Sequence, residues 1–407
     1  MYPISGVRGE KGKMAATPAR HTEQAEKEAH SFLQQAGAYA RHYGRLPLPA
    51  DLNWWWTIGA MLVAVLVLML LSGLTLTLAY TPDASLAFGS VEAIERRMPS
   101  GWLLRAMHMT GASFFMAALY AHLLRGLYYR TYLPPRRSVW LSGCGLLVLV
   151  MVTAFAGYVL PWGQMSYWGA DVAAKAVGAV PFVGQGLEQV FLGGESPGTP
   201  TLHRMLTLHF LLAFVIIGLV LVHVAVVHAK GSSSPSVQPE TRRKYLPFYP
   251  YFTTRDILAI LVMSLGFVAM MCFWPGLITE PANYRPANPL HTPADIEPEW
   301  YFLPFYGMLQ VVPSKFWGLL VSGGAVAVLF AVPWLDKGRR IANSGLARLA
   351  DAGALLACVG AAVTAAAAGV HHAQGGWLLA GQAACLVYYL YFLVFLPLRT
   401  RFEGKEA

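Results

Sequence analysis

The chain has 407 residues, of which 56% are apolar and only 13% charged, against roughly 25% charged in a soluble globular domain. That balance excludes a string of soluble domains and identifies an integral membrane protein. The net charge of +9 comes from short basic blocks between apolar runs rather than from one basic face, which excludes nucleic acid as a partner. The cysteines Cys144, Cys272, Cys358 and Cys385 are isolated within apolar runs, so disulfides, Fe-S clusters and covalently attached haem are not expected in this chain.

Residues 1–50 are polar and basic, without the apolar stretch that a cleavable signal peptide needs. This segment is expected to stay outside the bilayer, with residues 23 to 43 forming either a surface-lying helix or a flexible tail. A bilayer core of about 30 Å takes about 20 apolar residues in helical form. Runs of that kind occupy about 57 to 80, 103 to 125, 139 to 160, 205 to 228, 256 to 278, 316 to 335, 351 to 370 and 377 to 397. The expected fold is therefore all-α and polytopic, with eight transmembrane helices. It divides into the tail (1–50), a four-helix bundle (51–230) and a C-terminal four-helix region (231–407). The seventh run is Ala-rich and carries Asp351 at its start.

Of the 30 Lys and Arg, 23 fall on the side of the bilayer that holds both termini, so both termini are expected to be cytoplasmic. The loops on the other side, about 161 to 204 and 279 to 315, are long and rich in Pro, Gly and aromatics. Long ordered loops usually carry function.

The second run contains His108 and His122, and the fourth contains His209 and His223, both pairs 14 apart. Fourteen helical residues rise about 21 Å and turn about 1400°, about 40° short of four full turns. Each pair thus lies on one helix face, with one member towards each membrane surface. Runs two and four are parallel, so His108 is level with His209, and His122 with His223. Two imidazoles facing each other at one depth suit the axial ligation of haem iron. A single intramembrane histidine is ordinarily a packing residue or part of a proton relay; two matched pairs point to two metal sites. His203 lies about 120° off the ligand face, and His21, His30, His42, His291, His371 and His372 fall in tail or loops. None of these is assigned to metal.

The same spacing recurs in runs one and three, as Gly59 and Gly73 and as Gly143 and Gly157. A porphyrin between helices needs backbone close to its faces and edges, and glycine removes the Cβ that would collide. Taken alone, each glycine pair would ordinarily serve helix contact. Arg105, three residues before His108, and Arg125, three after His122, are placed to meet haem propionates; snorkelling at a helix end is the alternative for Arg125.

The stretches SGWLLRAMHMTGASFFMAALYAHLLRGLYY, GYVLPWGQMSYWGA, HVAVVHAKGSSSP, YFTTRDIL and ANPLHTPADIEPEWYFLPFYGML resemble, in order and spacing, cytochrome b of the quinol:cytochrome c oxidoreductase (cytochrome bc) complex. The resemblance covers about Leu52 to Leu398. It implies two non-covalent b-type haems with bis-His iron and two quinone sites on opposite sides of the membrane. Glu299 of the PEWY motif resembles the base that accepts a proton when quinol is oxidised, and Tyr158 a polar residue of the same pocket. His228 and Asp256 resemble the proton-donating ligands of the quinone-reducing site. Arg255 stands where Lys is commoner, and SSSP replaces an Asn-containing loop.

The resemblance further implies a respiratory quinone cycle coupled to proton translocation in a bacterial inner membrane or its equivalent. A Rieske Fe-S protein and a c-type cytochrome would be separate chains, and the complex would be a homodimer. The competing readings are a cofactor-free proton-coupled transporter with buried histidine relays, and a di-haem membrane anchor of a dehydrogenase; such anchors usually have fewer spans and nothing like PEWY.

Overall fold

The computed structural model describes residues 34, 35, 37, 38, 41–235, 242–337 and 345–399. The surface helix expected at 23 to 43 falls mostly outside these residues, as do His21 and His30. The chain divides into two compact units, Met1–Leu48 with Tyr245–Thr254, and Pro49–Lys244 with Arg255–Ala407. In the small unit the Phe248 amide donates to the Leu46 carbonyl at 3.0 Å.

The large unit is built from helices joined by loops, because a backbone in lipid must satisfy its own hydrogen bonds. Its long helices are α1 (Ile58–Thr77), α3 (Gly101–Tyr128), α4 (Arg137–Val159), α7 (Thr199–Lys230), α8 (Thr253–Phe273), α10 (Lys315–Leu335), α11 (Gly345–Val370) and α12 (Gly376–Leu390). Shorter helices intervene: α2 (Ala87–Arg97), α5 (Gln164–Gly178), α6 (Gly184–Leu192) and α9 (Leu303–Gln310). These are below the length that identifies a membrane run, so hydropathy alone did not bring them out. α7 stops at Gly231, whose φ of +71° is open to glycine at no steric cost. α8 ends five residues before its expected boundary, at Phe273, because the Pro275–Leu277 turn follows and proline cannot extend the ladder.

Among the described residues, seven helices are long and apolar enough to cross a membrane. The eighth expected span, α3, is 28 residues long but is not among them. The physical reason lies in its sequence: Arg105, His108, His122 and Arg125 lower its mean hydropathy. Many large apolar side chains on the others, such as Leu71, Leu221, Val262, Leu265 and Leu356, face outwards, as expected where the solvent is lipid.

Helix α1 packs on α3, α4 on α7, α9 against α10 and α11, and α11 on α12. One apolar core joins them through Met116, Leu147, Val150, Ile216, Met308 and Val332. A buried polar cluster ties the loop after α3 to the end of α10, to α11 and to Arg399. Arg130 lies 3.6 Å from Asp336 and 3.8 Å from Asp351, Arg399 pairs with Asp351, and the Tyr132 hydroxyl donates to Asp336 at 2.6 Å. Two cations balance two anions, which is what makes such burial tolerable. This pairing accounts for the acidic residue at the start of the Ala-rich seventh run.

Candidate functional site: two imidazole pairs and an acidic loop cavity

The helical register places the four histidines as their spacing requires. His108 and His209 face each other with ring centroids 6.0 Å apart, and His122 and His223 with centroids 6.5 Å apart. With a metal–nitrogen bond of about 2.0 Å and a ring centre about 1.1 Å beyond the nitrogen, two imidazoles on opposite sides of one ion have centroids about 6 Å apart. Both pairs match that separation. Among the described residues no group of three or more His, Cys, Asp or Glu could hold an ion. Two nitrogens per site therefore suit an ion whose remaining ligands come from a macrocycle, and the donor set fits haem.

The protonation of the rings can be followed through their partners. The Ser142 hydroxyl donates to the Val139 carbonyl at 3.0 Å, so its oxygen is left to accept from Nδ1 of His223 at 2.8 Å. Ser72 donates to the Leu68 carbonyl at 2.7 Å and faces Nδ1 of His108 at 3.0 Å. Nδ1 of His209 donates to the Thr153 carbonyl at 2.7 Å. Three rings thus carry their hydrogen on Nδ1, leaving the Nε2 lone pair for a metal. The buried Nδ1 of His122 has no hydrogen-bond partner.

The glycine repeat has a different immediate role from the one read from spacing. Each glycine backs an imidazole: a Cβ on Gly157 would lie 2.5 Å from Cε1 of His209, and on Gly73 2.9 Å from Cε1 of His108. At Gly143 and Gly59 the corresponding distances to His223 and His122 are 3.4 and 3.8 Å. The missing methyls therefore let α1 sit against the histidines of α3, and α4 against those of α7. Ser72 and Ser142, which the sequence reading passed over, immediately precede two of these glycines; the repeated Ser-Gly pair was the signal.

The arginines differ. Arg125 stacks its guanidinium over Trp56 at 5.0 Å, and its buried Nε has no hydrogen-bond partner. Arg136, not singled out from the sequence, donates to the Gly231 carbonyl, and its charge acts on both Arg125 and His223. Two neighbouring cations beside an imidazole pair would welcome an anionic group. Arg105 instead pairs with Glu95 and lies over the Tyr284 ring at 5.3 Å.

The segment after α4 and the loop before α9 are stitched together. Gly163 and Pro286 form a bridge, the Gln164 amide donates to the Arg285 carbonyl at 3.0 Å and the Ala287 amide to the Trp162 carbonyl at 3.1 Å. Asn283 accepts from the Ser166 amide at 2.9 Å. The PEWY turn is anchored on α3, where the Tyr120 hydroxyl donates to the Tyr301 carbonyl at 2.6 Å and the Trp300 indole to Ser113 at 3.2 Å. A cavity of about 290 Å³ runs among α1, α3, α4 and α7 beside His108, His209, Gly73 and Gly157, and its loop end reaches Tyr158, Glu280, Glu299 and Tyr301. Glu299 is half-buried there. Burial, followed by the charge of Glu280, pushes its carboxyl up to about 7, where it can take or give a proton near neutrality.

At the opposite end, Nδ1 of His228 donates to the Val224 carbonyl at 2.8 Å and the residue is exposed. Asp256 is half-buried in the first turn of α8.

Residues 44–231 match the family described as cytochrome b/b6/petB, and residues 286–390 match cytochrome b(C-terminal)/b6/petD. A cytochrome b of Rickettsia bellii is 40% identical over 90% of this chain and 91% of its own length, and one of Rhodobacter capsulatus 42% identical over 72% and 73%. A protein named cytochrome b/c1 of Bradyrhizobium diazoefficiens is 40% identical over 88% of this chain; the chain spans about half of that relative, 52%. A chain of a hyperthermophilic respiratory Complex III superposes with a TM-score of 0.83 at 28% identity, covering 94% of this chain and 99% of that one. With both halves of its length matched and relatives aligned nearly end to end, the chain belongs to the cytochrome b family.

Proposed function

We propose that the chain holds two b-type haems, one on His108 and His209 and one on His122 and His223, and carries a quinone site at each side of the membrane. It is the cytochrome b of a respiratory bc complex like Complex III, the core of a quinol:cytochrome c oxidoreductase. The observation that carries the haem assignment is the pair of facing imidazoles at metal-bridging separation, backed by glycines and mostly locked in the ligating tautomer. Helix α3 is then the eighth span, and α1, α3, α4 and α7 make the haem-bearing bundle. Held between His108 and His209 and between His122 and His223, haem iron would supply one-electron transfer.

The excess of basic residues on the side that holds both termini supports a cytoplasmic position for them, which puts the 108/209 site and the Glu299 cavity towards the outer surface. The part of the cavity beside His108 and His209 would take the haem, and its loop end, at Tyr158, Glu280 and Glu299, receives the quinol ring. Glu299 accepts a hydroxyl proton, its carboxylate made a stronger base by burial and by Glu280, and Tyr158 orients the ring. Arg125, with Arg136 beside it, meets the propionates of the inner site, while Arg105 serves the outer one in exchange with Glu95. On the cytoplasmic side His228 and Asp256 deliver protons to a quinone being reduced. A Rieske Fe-S protein and a c-type cytochrome, as separate chains in a dimeric complex of the inner membrane, complete the oxidoreductase.

A haem-to-protein ratio and reduced-minus-oxidised spectrum of the purified complex test this reading. Two b-type haems per chain are expected; none or one rejects it, and a cofactor-free histidine relay would give none.

A further inference from the structure

The two imidazole pairs share spacing and helices but differ in what their Nδ1 atoms meet. In the 108/209 pair both rings are engaged, His209 by the Thr153 carbonyl and His108 by Ser72, with the Met69 carbonyl also nearby. In the 122/223 pair only His223 is engaged, by Ser142, and the buried Nδ1 of His122 meets no hydrogen-bond partner. An imidazole that donates through Nδ1 gains negative character and becomes a stronger donor through Nε2. A stronger axial donor favours the oxidised metal and lowers its potential, one of the levers a protein has on haem.

We propose that Ser142 is a positioning residue that holds His223 in the ligating tautomer and lowers the reduction potential of the 122/223 site through a single hydroxyl acceptor, with Ser72 doing the same for His108. The inference rests on the haem reading above. It makes the count of imidazole hydrogen bonds, two at one site and one at the other, a built-in difference in electron affinity. The charges of Arg125 and Arg136 act in the same sense at the inner site, since nearby cations favour the reduced form. With haems bound, the fully engaged pair would be the lower in potential and the half-engaged pair the higher.

The geometry is specific enough to separate a role in tuning from a role in packing. The Ser142 hydroxyl has its own proton committed to the Val139 carbonyl, so its oxygen is an acceptor fixed in direction. Threonine can reproduce that arrangement; valine has threonine's shape but no oxygen.

The test uses the complex purified from membranes with Ser142→Ala, Ser142→Thr and Ser142→Val, read by potentiometric optical titration and by the low-temperature electron paramagnetic resonance of the oxidised haems. Ser142→Ala and Ser142→Val are expected to favour the reduced inner haem by about tenfold, a rise of about 59 mV for one electron, with a changed resonance for that haem and none for the other. Ser142→Thr should keep the native values. Loss of the inner haem from the alanine and valine variants but not from threonine also supports the proposal. An unchanged inner potential in alanine and valine, or the same shift or haem loss in all three, overturns it. Absence of haem from the unaltered complex instead overturns the haem assignment itself.

Discussion

The 108/209 and 122/223 imidazole pairs are built by one sequence rule and end in two environments. Both arise from a spacing of fourteen on α3 and α7, and both are backed by glycines fourteen apart on α1 and α4. Yet the 108/209 pair opens onto the cavity that holds Glu299, with glycine contacts that leave no room for a methyl. The 122/223 pair has looser glycines and two cations beside it. The difference teaches that helical register sets where ligands stand, whereas the neighbouring loops and second-layer groups set what each site does.

The largest effect that would break this comparison comes from the outer ligands. His209→Leu removes one imidazole of the proposed 108/209 haem site, and Gly157→Ala drives a methyl to 2.5 Å from the ring of His209. Each is expected to lower haem content from two per chain to one, measured by the haem-to-protein ratio. Retention of both haems in His209→Leu would contradict the pairing.

Next comes Glu299→Gln, which keeps both haem spectra and slows quinol oxidation by about 10² or more. The native rate should rise with pH through about 7, because only the ionised carboxylate of Glu299 accepts a proton and burial with Glu280 holds it up to about 7. Glu280→Gln removes one negative neighbour, lowers the affinity of Glu299 for its proton and moves that rise to lower pH. A profile that stays in place would show that Glu280 does not act on the base.

Asp256→Asn tests the inner end. Quinone-dependent reoxidation of the inner haem should slow by about tenfold, less than for Glu299→Gln, since His228 remains to relay protons. Rapid-mixing kinetics at the inner haem read this directly, and native rates would remove Asp256 from proton delivery. The smallest effect belongs to Gly59→Ala. Its methyl would stand at an ordinary 3.8 Å from His122, so haem content should stay at two, in contrast to Gly157→Ala.

How much of this was written in the sequence follows from the same distinction. The long helices were legible because a bilayer demands about twenty apolar residues and a helix fixes the angle between positions fourteen apart. The depth and face of His108, His122, His209 and His223 needed nothing more. The helices α2, α5, α6 and α9 were not legible by hydropathy because they are short. The contact between the PWG turn and the loop before PEWY was reachable only through the family resemblance, since no periodicity relates Gly163 to Pro286. Ser72 and Ser142 were visible as residues but not as partners, because their role depends on the neighbouring helix placing a ring against them. Arg136 acquires its place only when the loop after α3 folds back beside Arg125.

The most direct measurement is a potentiometric titration of b-type haem in the purified complex, unaltered and with His209→Leu. Two one-electron components are expected in the unaltered complex, of which His209→Leu removes the lower-potential one and leaves the other in place. A single component in the unaltered complex, or two surviving components in the variant, would refute the pairing of His108 with His209.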